Sequence, residues 1–97
     1  MKKRFIVLLA SETEQQTRAF SDLFKGNFAW WHWLPNSWLI VDYSGQLTPS
    51  SLVEKVKRIY PGVNNFVTEV KEDAWVGFGP SGGDSTYFSW LKDQWKR

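Results

Sequence analysis

Residues 29–43 read AWWHWLPNSWLIVDY and hold four of the chain's seven tryptophans and its only histidine. Leu34-Pro-Asn-Ser37 breaks the apolar run. Proline presets φ at the second position of a type I turn and asparagine suits the third. The stretch is therefore read as a hairpin, Phe28–Trp33 against Trp38–Tyr43. A turn at 34–37 sets Trp33 opposite Trp38, Trp31 opposite Ile40 and Ala29 opposite Asp42, and opposed residues share a face. One face then carries Trp31, Trp33, Trp38, Ile40 and Asp42. The other carries Phe28, Trp30, His32, Leu39, Val41 and Tyr43. The aliphatic Leu39 and Val41 mark the second face as the one beneath the helices. Trp31, Trp33 and Trp38 are left on a face that needs a cover, which is either the chain's own last helix or another molecule.

The flanking elements follow from periodicity. Phe5–Ala10 is apolar on both alternating faces, as in a central strand covered on two sides. Ser11-Glu-Thr-Glu14 reads as a capping box that opens a first helix, with Phe20, Leu23 and Phe24 on one face and Gly26-Asn27 at its stop. Ser44-Gly45 ends the hairpin. Thr48-Pro49 is an N-cap followed by proline at the first helical position. A second helix runs to about Tyr60 with Leu52, Val56, Ile59 and Tyr60 as its stripe, and Pro61-Gly62 ends it. Asn65–Lys71 alternates with more polar residues and reads as an edge strand.

The order β-α-β-β-α-β with right-handed crossovers predicts an α+β fold. It is the ferredoxin-like split βαββαβ antiparallel sheet with two helices on one face and the first and third strands central. Residues 74–97 form a C-terminal extension of this single domain spanning 1–97. Within it, Ala74–Phe78 reads as a short extra strand and Pro80–Gly83 as a loop. Asp84 or Ser85 caps a last helix with Phe88, Leu91 and Trp95 on a stripe and Trp90 beside it. Lys92, Lys96 and Arg97 complement that helix's C-terminal dipole.

Composition narrows the function. The 97 residues suit one domain. With no cysteine, disulfides, thiolate catalysis and cysteine-based metal sites are excluded. A net charge of +2 does not by itself imply nucleic acid. Lys2-Lys3-Arg4, Lys55-Lys57-Arg58 and Lys92-Lys96-Arg97 read as solvated ends and a helix face. The start MKKRFIVLLASETEQQ mimics a signal peptide, but its apolar run is shorter than a secretory core. No run approaches a membrane span. The expectation is a cytoplasmic protein with no membrane association. Aromatic residues make up 18% of the chain, more than so small a core readily hides, which favours an interface.

No motif assembles chemistry. GFGPSG, residues 77–82, has dinucleotide-motif spacing but lies too near the C-terminus, without the strand, helix and distant acid that such a site needs. The VGFG fragment, 76–79, lacks the basic residue and later aromatics of an RNA-recognition strand. A lone His32 rules out histidine-rich metal sites and histidine pairs, and Asp42 falls on the opposite face from it. Glu69, Glu72 and Asp73 read as a charged strand edge, and Glu12 and Glu14 as helix-start carboxylates. No catalytic residue, cofactor or metal site is assigned, and the chain reads as non-catalytic.

The first strand FIVLLA, the hairpin with SWLIVDY, the Thr48-started helix, and VTEV followed by Trp75 and Gly77 carry a resemblance. Over roughly the first 78 residues the layout resembles the small ferredoxin-like CRISPR-associated spacer-integration nucleases and their SinR-like and VapD-like relatives. The resemblance implies a dimer formed through the sheet, and in nuclease members a metal-binding aspartate at the end of the first strand. Here those positions are Ala10 and Ser11, which weighs against nuclease activity. The expected function is an interaction module that self-associates or binds a protein partner through Trp31, Trp33, Trp38, Ile40 and Trp75. The alternative is a nucleic-acid-binding relative of those nucleases that lacks the metal-binding aspartate.

Overall fold

The computed structural model describes residues 1–72, 75–76 and 89–95. The chain is α+β. Its elements are β1 (Lys3–Leu9), α1 (Glu14–Ser21), β2 (Phe28–Trp31), β3 (Ser37–Asp42), α2 (Pro49–Ile59), β4 (Asn65–Val70) and a short π-helix, Leu91–Trp95. The strands form one antiparallel sheet in the order β2-β3-β1-β4. The two most continuously apolar strands, β1 and β3, thus lie in the middle, covered on the helix side and in part on the other.

Both long helices lie on one face of the sheet. Phe5, Val7 and Leu9 of β1 and Trp38 and Ile40 of β3 pack there against Phe20, Phe24, Leu52, Val56 and Tyr60. Phe20 is the hub. It meets Phe24 and Trp38 edge-on at 4.9 Å and Tyr60 at 5.4 Å, the T-shaped geometry that ring quadrupoles favour. The opposite face holds a smaller cluster. Trp31 and Val41 are buried there against Leu91 and Trp95, with Ile6, Ala29, Leu39, Val70 and Trp90 around them.

The hairpin register differs from the expected one. Phe28 pairs with Asp42, Ala29 with Val41, Trp30 with Ile40 and Trp31 with Leu39, an offset of one residue. Asn36 has φ +60°, the left-handed value that the third position of a type II turn demands, rather than type I geometry. With a side-chain period of two, a one-residue offset moves a whole strand's side chains to the other face. Trp38 and Ile40 are therefore fully buried beneath the helices, while Leu39 and Val41 face the other way. The expected set Trp31, Trp33, Trp38, Ile40 and Asp42 does not share a face. Aliphatic content misjudged β3 because its tryptophan finds aromatic and polar partners on the helix side.

The first helix starts later than expected. Its N-cap is Thr13, which accepts from the Gln16 N–H while the Gln16 side chain returns to the Thr13 N–H. Ser11 and Glu14 are not the capping pair, and Glu14 instead pairs with Arg18 at the surface. The helix ends at Ser21, so Leu23 lies beyond it and is 38% exposed. The second helix has the expected Thr48 cap and Pro49 start, with Ser51 completing a capping box. After β3, burial works to raise the Asp42 carboxyl. The Ser44 hydroxyl and the Leu47, Ser44 and Gly45 amides outweigh that effect and hold it below the usual aspartate range.

Lys2, Lys3 and Arg4 are not a solvated end. Lys2 Nζ donates to the Gln94 carbonyl at 3.1 Å, and Lys3 Nζ to the Leu47 carbonyl at 3.2 Å. Buried Arg4 donates to the Trp95 carbonyl at 2.9 Å and to the Glu72 carbonyl at 3.0 Å, with its guanidinium 5.6 Å from the Trp95 ring centre. Carbonyls at a helix C-terminus have no intrahelical partner and carry partial negative charge. The N-terminal cations supply that need for the Leu91–Trp95 turn, and the Tyr43 hydroxyl adds a hydrogen bond to Gln94. Lys92 is exposed. Of the expected strand 74–78, Trp75 and Val76 are described and neither is in a strand. The GFGPSG stretch, the 80–83 loop, the caps at Asp84 or Ser85, Phe88, Lys96 and Arg97 lie outside the described residues.

Candidate functional site

The densest polar chemistry lies where β1 gives way to α1, against the hairpin. With capping assigned to Thr13 and Gln16, Glu12 is released from the helix start and turns inward, its side chain only 4% exposed. It accepts from Trp38 Nε1 at 2.9 Å on Oε2, from the Tyr60 hydroxyl on the same oxygen, and meets His32 Nε2 at 2.9 Å through Oε1. His32 stacks on Trp38 with ring centres 4.1 Å apart and planes within 4°. Its other nitrogen, Nδ1, lies 2.6 Å from the Ser37 carbonyl. The network links the end of β1, the hairpin and the end of α2. Gln16 reinforces it by donating to the Ile59 carbonyl at 3.2 Å.

Hydrogen-bond inventory assigns the protons. The Ser37 carbonyl can only accept, so Nδ1 carries a hydrogen. Nε2 is taken up by its contact with Glu12 Oε1. Both imidazole nitrogens are thereby committed. A general base needs a free lone pair within reach of its substrate, and His32 presents none. Burial first, then the Glu12 hydrogen bond and charge, drive the Tyr60 hydroxyl far above the ordinary tyrosine range, against a small opposing effect of Trp38. Tyr60 therefore acts as a donor that stays protonated. The arrangement orders the hairpin and does not present a nucleophile.

Beside the network is a pocket of 350 Å³ along the β2 edge, lined by Trp30, Trp31, His32, Trp33, Trp90 and Asp93 among others. Trp30 and Trp33 are 40% and 41% exposed, and Trp31 is buried. A second pocket, 500 Å³, lies between the N-terminal cations and the β4 edge, with Glu69 and Lys71 in its wall. No group of three histidine, aspartate or glutamate side chains is placed to hold a metal among the described residues. Among them no helix is long and apolar enough to cross a membrane.

The residues expected to bind a partner are thus dispersed. Trp31 is covered by the chain's own Leu91 and Trp95, Trp38 and Ile40 are core, and Trp33 and Trp75 are surface residues in different segments. Sequence reasoning missed Glu12, Tyr60 and Asp93. The signal for Glu12 was present, since Thr13-Glu-Gln-Gln16 is a second capping box that leaves Glu12 with no role in the helix. No protein-family model, curated protein or solved structure matches this chain.

Proposed function

We propose that the protein is a non-catalytic interaction module of ferredoxin-like architecture, cytoplasmic, which self-associates as a homodimer or binds a protein partner through its tryptophan-rich sheet edge. The all-antiparallel order β4-β1-β3-β2, with both long helices on one face, supports the ferredoxin-like assignment. One observation carries the interaction reading. At the β2 edge and its turn, Trp30, Trp33 and Leu34 expose 40%, 41% and 48% of their surface. Tryptophan is enriched at binding hot spots, and an edge strand offers unpaired backbone groups for association. The proposed surface is therefore the edge with Trp30 and Trp33, in place of the sheet face with Trp31, Trp38 and Ile40.

The strand order, together with the likeness of FIVLLA, SWLIVDY and VTEV, supports a relation to the CRISPR-associated nucleases. Nucleic-acid binding is the weaker reading, because Lys2, Lys3 and Arg4 already donate to main-chain carbonyls. Sedimentation equilibrium of the wild type, Trp30→Ala and Trp33→Ala tests the proposal. Association that is lost in the variants is the expected outcome. A monomeric wild type, with partner capture unaffected by both changes, would overturn it.

A further inference from the structure

We infer that the pocket between the β2 edge and the C-terminal turn is a binding site for a small molecule with a compact quaternary ammonium head. This goes beyond the protein-interaction reading, although the two share Trp30 and Trp33. Four tryptophans, Trp30, Trp31, Trp33 and Trp90, line one 350 Å³ space with the Asp93 carboxylate. Indole is the best aromatic partner for a cation, and cages of such rings recognise methylated ammonium groups.

The charge balance agrees. Among the described residues no lysine or arginine lines the pocket, His32 is paired with the Glu12 carboxylate, and Asp93 makes no ion pair. A bound cation therefore meets one formal negative charge and several indoles. A primary ammonium would have to replace hydration at three N–H donors. One exposed carboxylate and indole walls are poorly equipped for that, whereas a trimethylated nitrogen has no donors to satisfy. The volume lies at the small end of the range of about 300–1,000 Å³ for ligand pockets and suits a compact head group.

The test titrates the full chain with choline and with its neutral isostere 3,3-dimethylbutan-1-ol, following the indole N–H signals by NMR. Choline is expected to shift the Trp30, Trp33 and Trp90 signals, with the isostere at least about tenfold weaker. Asp93→Asn, at an exposed position, is expected to weaken choline several-fold. Trp33→Ala is expected to reduce it further. Equal binding of choline and isostere would make the pocket merely apolar and overturn the inference, as would no shift with choline at millimolar concentration. Binding of a trimethyl-lysine peptide without choline would also overturn it, by assigning the site to a protein partner. Sedimentation of the same samples keeps the outcomes distinct, since a wild type that stays monomeric yet binds choline refutes only the interaction reading, and one that associates through Trp30 and Trp33 without binding choline refutes only this one.

Discussion

The two faces of the sheet are built on different terms. Beneath the helices, Phe5, Val7, Trp38 and Ile40 are completely buried in one continuous core, tied at its end by the Glu12 network. On the far face a short turn covers only part of the sheet. Trp31, Val41, Leu91 and Trp95 are buried there, while Leu8 and Phe66, paired across β1 and β4, expose 44% and 61%. The far-face cover is fastened largely by N-terminal cations on main-chain carbonyls. The contrast separates a core whose loss unfolds the domain from a cover that can open locally. Local opening free energies fall where buried apolar contacts are few.

Trp38→Ala should break the first of these most severely. It removes a fully buried ring and one donor to Glu12, at a cost of about 3–5 kcal/mol by denaturant unfolding. Glu12→Gln follows. It replaces the buried carboxylate that accepts from Trp38 and Tyr60 and contacts His32, and a loss of about 3 kcal/mol is expected. A stability equal to wild type would show that the network is ornamental to folding.

Tyr60→Phe removes one donor to a carboxylate and should cost about 1.5 kcal/mol at pH 7. It also has a pH signature. The folded state holds the Tyr60 proton more tightly than the unfolded chain. Its contribution is complete below the unfolded tyrosine value of about 10 and shrinks as pH rises beyond it. Wild type should therefore lose stability on the alkaline side more steeply than the phenylalanine variant. The smallest global effect is expected for Trp95→Ala, about 1 kcal/mol, because the turn it anchors can release while the sheet stays folded. Hydrogen exchange should accelerate in residues 89–95 and barely change in β1 and β3. A loss as large as that of Trp38→Ala would erase the distinction between the faces.

Much of this was readable in advance. The apolar runs of β1 and β3 marked the central strands, and Thr48-Pro49 marked the second helix, because strand centrality and helix capping depend on residues close in sequence. The candidate site was only partly legible. The residue pattern places Trp33 at the surface, where it is 41% exposed, but sets Trp38 and Ile40 on the wrong face by a single residue of register. Asn36 offered little warning, since asparagine is compatible with several turn geometries and only the backbone shows its positive φ.

By itself the sequence determined the order of the elements, their amphipathic stripes and the surplus of tryptophan. Tertiary structure alone decided the β3 register, the inward turn of Glu12 and the cover over Trp31. Each of these depends on a partner distant along the chain. Trp38 goes inward where Phe20, Tyr60 and Glu12 converge on it, and the last turn docks where Lys2 and Arg4 meet its carbonyls. Local periodicity carries no information about which distant donor will meet which acceptor. Burial makes that pairing decisive, because a polar group removed from water must find its partner inside the protein.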